Sequence, residues 1–556
     1  MRHKRKTFHI PKGFKFGLIS SVLLLVIVVG GAWYWNNNKG WIIRNKIEDA
    51  IAEKTQGLYN VKYDSLGLNE ASGRLTVSNL HITYDSAKYI QQASPAAILL
   101  NISIPAINVT GIKTPRALLQ KEIKGTKVEI RSPEIEIYYT YKGKDSARNV
   151  PTEEIYKQIL GEFNFIEFDT VLITDAKIST NSLRTGKPIV LIDSVSIMFG
   201  AVKIDSASQV DSTRFLFSKQ IQLSAHEARW RSANGRYGYK VSDMSFDTKT
   251  NIFSAGQFDV DPLLSESNFA NKLKYQDDRY DFSFRDVRLT GVKSENILNE
   301  NIRADSLIIS SASLKVYRDI GRPRDKKNRV GSYPHQVINQ VPLIFDIRKV
   351  IVNSAFVEYK ERNPITREAG KVQFYNVNAF ISNFSNNDET IRKNSLMTAT
   401  VNSRFLNKSY LRTNWLFYLK HPAGKFKVKG ELSPMDAKQL NVLAEPMGPA
   451  RIEKGSLNSL AFNLDGNDNG TNAQIKVLYN DLKMSLLELD KGAKETDRKF
   501  LASFLANIII KNDNPKKGEE IRTANINYTR DPNRSLFNLC WKAIFKGVKQ
   551  TLGVKK

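Results

Sequence analysis

From Tyr59 onward apolar and polar residues alternate with a period of two. Val61 and Tyr63, Leu75 and Val77, then Leu80, Ile82 and Tyr84 stand between polar neighbours, and turn residues such as Ala71-Ser72-Gly73 separate the runs. The pattern continues through Ile102, Ile104, Ile107 and Val109, Val128 and Ile130, Ile135 and Ile137, Val171 and Ile173, and Val195 and Ile197. Alternation of β-branched residues bounded by turns predicts half-buried strands. Helical patches are few, with 115–119 and 152–163 the clearest. These patterns predict a mainly β fold, an elongated antiparallel sheet.

Two segments break the pattern. Phe16 to Trp35 carries no charge, and its 20 residues reach about 30 Å as a helix, the thickness of a hydrocarbon core. Phe16, Leu23, Leu24 and Leu25 supply the apolar body; Trp33 and Trp35 supply interfacial rings at the far end. Residues 1–15 carry six Lys or Arg and no acid, which predicts a cytoplasmic tail and a single-pass anchor with the bulk of the chain across the membrane. The run is longer than the core of a cleaved signal peptide, which sets an uncleaved signal anchor above cleavage. Residues 36–57 follow as a short amphipathic helix ending at Gly57. At the other end, residues 534–556 form a basic amphipathic helix. Phe537, Trp541 and Phe545 stand among its apolar positions, and Lys542, Lys546 and Lys549 on its polar side. That pattern is compatible both with packing as a cap on the β region and with a membrane surface.

The β region repeats. Ile107-Asn108-Val109-Thr110-Gly111-Ile112-Lys113 matches Val287-Arg288-Leu289-Thr290-Gly291-Val292-Lys293 at an offset of 180. Ile123 to Tyr138 matches Ile302 to Tyr317, and Val171 to Ala176 matches Val350 to Ala355, both at 179. A constant offset over three separated blocks defines two copies, 58–237 and 238–417, followed by a C-terminal β region, 418–533. A β unit that does not close its own core, repeated, predicts an elongated stack. The long polar insert Arg318–Tyr333 reads as a solvated loop tip, and Asp277-Asp278 as a solvated pair.

Composition adds a location and removes enzyme classes. Hydrophobic residues at 41% allow a sizeable core, and the lone Cys540 excludes an intrachain disulfide, which fits an exported bacterial chain built without them. Net charge is +27; this and the topology favour an anionic membrane surface over nucleic acid, for which no signature appears. The six histidines show no ligand spacing, no nucleophile, P-loop or dinucleotide fingerprint occurs, and Asp465–Gly470 lacks the rest of a calcium loop and reads as a tight turn. No catalytic residue, metal or cofactor is expected.

The anchor, the block Gly73-Arg74-Leu75-Thr76-Val77-Ser78-Asn79-Leu80, the paired Thr-Gly blocks, the run from Leu440 through Ile452-Glu453-Lys454-Gly455-Ser456-Leu457 to Tyr479-Asn480-Asp481-Leu482, and the ending Trp541 to Gly553 together resemble the AsmA-like family of bacterial envelope proteins. The resemblance implies a curled, groove-like β-sheet, an inner-membrane anchor with the bulk of the chain in the periplasm, and movement of phospholipids toward the outer membrane. Its implied partners are phospholipid acyl chains, the inner membrane, and the outer membrane or a protein in it. The physics points the same way: a sheet with one apolar face must cover it, and acyl chains are such a cover, at about 0.8 kcal/mol per buried methylene. Groove candidates are Ile104, Val109, Val128, Ile130, Ile135, Ile137, Val171 and Ile173, with Leu289, Leu307, Ile309, Leu314, Val316, Val350 and Val352 from the second copy. Ordinary core packing is the alternative at each position. The alternative function is a non-transporting periplasmic scaffold that assists assembly of outer-membrane or secreted proteins through its strand edges.

Overall fold

The structure is a computed structural model and describes residues 57–69, 71–91, 98–112, 121–139, 160, 163–183, 188–297, 301–363, 368–447, 450–486 and 511–553. The tail, the span Phe16–Trp35, the helix expected over 36–57 and nearly all of the helical patches at 115–119 and 152–163 lie outside them. Among the described residues no helix is long and apolar enough to cross a membrane.

The described chain is mainly β, with 22 strands. It divides into two compact units: residues up to Ala233 with Tyr239–Gly256 and Val292–Asn299, and Asn234–Gly238, Gln257–Gly291 and the chain from Glu300 onward. This division cuts across the repeat boundary at 237/238.

The first unit contains β1 (Tyr59–Lys62), β2 (Ser65–Asn69), β3 (Arg74–Tyr84), β4 (Ile98–Thr110), β5 (Glu122–Arg131), β6 (Glu134–Tyr139), β7 (Phe165–Ser182), β8 (Pro188–Ile204) and β9 (Gln220–Arg231). β10 (Tyr237–Asp247) and β11 (Ile252–Pro262) divide between the units. β3 pairs with β1, β2 and β4, and β4 pairs with both β5 and β6, all antiparallel. β5 and β6 then run parallel to β7, and β7, β8 and β9 are antiparallel again. Their alternating apolar positions form one core, in which Leu75, Leu80, Ile82, Ile104, Ile107, Val109 and Ile137 are fully buried.

The second unit contains β12 (Asp278–Thr290), β13 (Asn301–Asp319), β14 (Ile344–Arg362), β15 (Ala369–Ser385), β16 (Leu396–Phe405), β17 (Ser409–Tyr418), β18 (Phe426–Leu432), β19 (Met435–Asp436), β20 (Ala450–Gly466), β21 (Gly470–Leu486) and β22 (Thr523–Thr529). β13 and β14 are parallel and the other ladders antiparallel. The expected antiparallel sheet is therefore corrected to a mixed one. Each copy contains one parallel step, because a long crossover returns the chain in the same direction.

Those steps place the repeat in three dimensions. Ile123 faces Ile166 and Ile135 faces Ile178; Ile302 faces Phe345 and Leu314 faces Val357, 43 residues apart in both copies. The Thr-Gly blocks also acquire a physical reason. Gly111 and Gly291 leave β4 and β12 at φ of +75° and +66°. A Cβ there would lie 2.1 Å from the Thr126 side chain and 2.4 Å from that of Asp305, so only glycine fits the turn. Asp175 and Ser354, again 179 apart, sit at positive φ beside equivalent register shifts, and short polar side chains suit such bulges.

Candidate functional site

Cross-strand neighbours share a face of a sheet, so the registers in the second unit place the candidates in rows. Leu289, Leu307 and Val350 form one row with Ile381; Val287, Ile309 and Val352 form the next with Ala379. Beyond the bulge, Leu314 lies between Phe282 and Val357, with Phe374 following; Val316 lies between Tyr280 and Tyr359, with Val372 following. Phe284, Ile309, Val352, Val357 and Phe374 pack on a small core of Ala312, Ala355 and Val377, which shows that the rows on both sides of the bulge share one face. From Leu307 to Val316 the face runs about 30 Å along the strand, and β12 to β15 span about 14 Å across it.

This face is open. Leu289, Leu307, Ile309, Leu314, Val316 and Val352 are each only partly buried, as are Phe282, Phe284 and Val357; Val350 alone among the second-copy candidates is sealed. The first copy differs. Ile104, Val109, Val128, Ile130, Ile135, Ile137 and Ile173 are all buried, and Val171 packs at the margin of the same core. The equivalent positions of the repeat thus serve two purposes: a closed core in the first unit and an open apolar face in the second. Of the two readings weighed from the sequence, core packing describes the first set.

Polar groups frame the open face. At one end Arg318 donates to Asp278 at 2.6 Å, with both side chains mostly buried, so the Asp277-Asp278 pair is not simply solvated. Tyr359 donates to Glu361 at 2.8 Å, and burial pushes the phenols of Tyr280 and Tyr359 above their ordinary range, so both stay neutral hydrogen-bonding groups. Thr290 and Ser306, one residue beyond Leu289 and Leu307 and therefore on the opposite face, share a hydroxyl contact of 2.6 Å. The opposite face of the same strands is mixed: Ile308, Ile351 and Phe380 form an apolar row, and a cleft of about 810 Å³ is lined by Glu266, Arg279, Asp281, Lys315 and Glu358 together with Val316, Tyr317 and Phe356.

Toward the C-terminus the apolar face closes. Val428, Leu464 and Ile475 are buried, and the helix Leu536–Thr551 lies over β21 and β22, burying Leu536, Leu539, Cys540 and Ala543. Ser535 caps it by accepting from the Asn538 N–H, and Gly547 meets Ile475 so closely that an added Cβ would lie 2.4 Å from it. Burial pushes the Cys540 thiol up to about 12. The helix is thus a cap, as one of the two readings held, while Phe537 and Phe545 remain exposed and Trp541 half-buried.

The insert Arg318–Tyr333 is largely exposed over Gly321–Val330, as expected of a solvated tip, and departs from that expectation at its end. It is part of the crossover between β13 and β14, and its end is sealed. Tyr333 is 0% exposed, edge-on to Phe426, and donates to the Asn467 carbonyl at 2.9 Å. Asp468, in the turn between β20 and β21, is ion-paired with buried Arg530, whose guanidinium lies 4.1 Å from the Tyr333 ring centre. His335 is also 0% exposed against Phe417, and neither ring nitrogen makes a hydrogen bond. Burial pushes its pKa down to about 4.

The sequence reading missed Tyr280, Phe282, Phe284, Val357 and Phe374, although Tyr280-Asp281-Phe282-Ser283-Phe284 alternates plainly. Among the described residues no group of three His, Cys, Asp or Glu is placed to hold a metal ion. No family model and no curated protein matches the chain.

Proposed function

We propose that this chain is a bacterial envelope protein, anchored in the inner membrane through Phe16–Trp35, that holds phospholipid acyl chains on the open face of β12–β15 and passes them along a curled β-groove toward the outer membrane. The observation that carries the reading is the contrast between equivalent positions: Ile130 is sealed, whereas Ile309 and its neighbours line an apolar face that is left part open. One leaflet's acyl chain reaches about 15 Å, so the face is long enough to hold one. Covering it transfers apolar surface from water, and rows of aliphatic side chains along the strands leave no polar step for a sliding chain to cross. The work is binding and guidance, with no catalytic group assigned. On this reading the polar rim at Asp278, Arg318, Tyr280 and Tyr359 faces the headgroup.

The test is photocrosslinking. The full chain, reconstituted in vesicles containing a phospholipid with a photoactivatable acyl chain, is expected to form adducts on peptides from β12–β15. Adducts absent from these strands, with the protein folded, would remove the reading. The competing scaffold reading is supported by β22, which among the described residues pairs only with β21. It predicts crosslinks to a client strand at Thr523–Thr529 and none to lipid on β12–β15.

A further inference from the structure

The C-terminal helix uses one side as a cap and leaves much of the other exposed, with Phe537 touching the protein edge-on at Trp415 (ring centres 6.0 Å apart). At about 100° per residue, Leu536, Leu539, Cys540, Ala543 and Gly547 fall in one narrow sector, the one turned to β21 and β22. Phe537, Trp541 and Phe545 follow one another at four-residue steps away from it. Phe537 is 63% exposed and Phe545 44%, unusual values for rings of this size. Trp541 stacks on Phe545 at 6.1 Å with an interplanar angle of 10°, and Lys549 Nζ stands 5.2 Å from the Phe545 ring centre. Lys542 continues the outer side and Lys546 borders it, donating to the Asn527 carbonyl of β22 at 3.3 Å, so aromatic rings and the Lys542 and Lys549 ammonium groups share one surface with no acid on the helix.

A second observation concerns charge. The crossover bearing exposed Arg324, Lys326 and Lys327 is tied to the chain just before this helix: Arg329 donates to the carbonyls of Pro532 and Asn533 at 2.7 and 3.0 Å. Arg534, at the helix entrance, is held below its ordinary pKa by burial and by repulsion from Arg318 and Arg324. Lys511 donates its N–H to the Leu552 carbonyl at the far end, and Lys516 and Lys517 are exposed beyond it. Of the acids nearby, Asp531, Glu519 and Asp325 face Arg534, Arg522 and Arg329, Asp513 accepts from the Asp481 N–H, and Glu520 is exposed. Cations thus gather at both ends of the aromatic stripe and outnumber the acids beside them.

We propose that this outer helix face, with Phe537, Trp541, Phe545 and the lysines beside them, seats on the surface of an anionic phospholipid bilayer. Rings of this kind favour the headgroup boundary, where an apolar body and a wet edge are both satisfied, and clustered lysines add attraction to anionic headgroups that salt screens. The proposal goes beyond acyl-chain binding on β12–β15 and stands without it, because a scaffold would use the same contact.

The experiment labels position 538 on the outer side. The full-length Asn538→Cys protein takes a nitroxide there alone, because Cys540 is fully buried. Reconstituted in vesicles with about a third phosphatidylglycerol, the label is expected to lie below the phosphates by its oxygen-to-nickel-chelate accessibility ratio. In pure phosphatidylcholine vesicles, or after K542E/K546E/K549E, the membrane-seated fraction should fall at least about tenfold. Circular dichroism and an unchanged urea midpoint confirm that the variant keeps its fold. A label that stays aqueous in anionic vesicles overturns the proposal. So does an immobilised label whose spectrum depends on protein concentration and not on lipid charge, since that outcome assigns the face to a second copy.

Discussion

Ile130→Asp and Ile309→Asp make the same substitution at equivalent positions of the repeat, 179 residues apart, and should have opposite outcomes. Ile130 is 4% exposed within the first unit's core. Removing its buried surface costs about 2–3 kcal/mol, and burying a carboxylate there adds several more unless it protonates. That total is comparable to a domain's whole stability of about 5–15 kcal/mol. Ile309 is half-buried at the edge of a three-residue core, so its loss costs about 1 kcal/mol and its carboxylate keeps access to water. Ile130→Asp should therefore unfold its unit, visible as loss of the β signal in circular dichroism or a collapsed urea midpoint. Ile309→Asp should fold, with its urea midpoint lowered only slightly, and should lose crosslinking to photoactivatable lipid. Comparable unfolding by both substitutions would refute the claim that the second copy's face is open. A folded Ile130→Asp would refute the sealed core.

Other outcomes follow from the closed end of the second unit. His335 has a folded pKa of about 4 against an unfolded value near 6.5, so its neutral form stabilises fully above about pH 6.5; this is lost as pH falls, by about 3 kcal/mol at pH 4. Urea titrations from pH 7 to 4 should show that slope, and His335→Phe should flatten it; an unchanged slope would contradict the assignment. Arg530→Met strands the buried Asp468 carboxylate and should cost about 3–5 kcal/mol, whereas the double change Arg530→Met/Asp468→Asn should recover much of it, as a double-mutant cycle would read. Gly547→Val drives a side chain into Ile475 and should loosen the C-terminal helix, seen as faster amide exchange across Leu536–Thr551 with the first unit unaffected. Cys540 should resist a water-soluble maleimide in the folded protein and react on unfolding.

Much of the β architecture was legible because a period of two survives in the side chains wherever one face is buried. The repeat was legible too, and the structure supplies its reason in Gly111 and Gly291, whose turns admit no side chain. The parallel steps were not, since alternation is the same for a strand running either way. Nor could the sequence separate a sealed position from an open one: Ile130 and Ile309 are the same residue at equivalent positions, paired with Ile107 and Ile173 in one copy and Val287 and Val352 in the other, and their exposure depends on what lies across the face. The insert Arg318–Tyr333 is solvated along its cation-rich middle, as its composition suggests, but sealed at Tyr333. Its sealing depends on Tyr333 meeting Asn467 and on Arg530 meeting Asp468, contacts across 134 and 62 residues that no local pattern records.

The most direct test of the central claim is to map where a photoactivatable phospholipid attaches on the full-length protein. The account predicts adducts concentrated on Asp278–Thr290, Asn301–Asp319 and Ile344–Arg362, lost in Ile309→Asp with the fold retained. Adducts spread evenly over the surface, or unchanged in that variant, would contradict it.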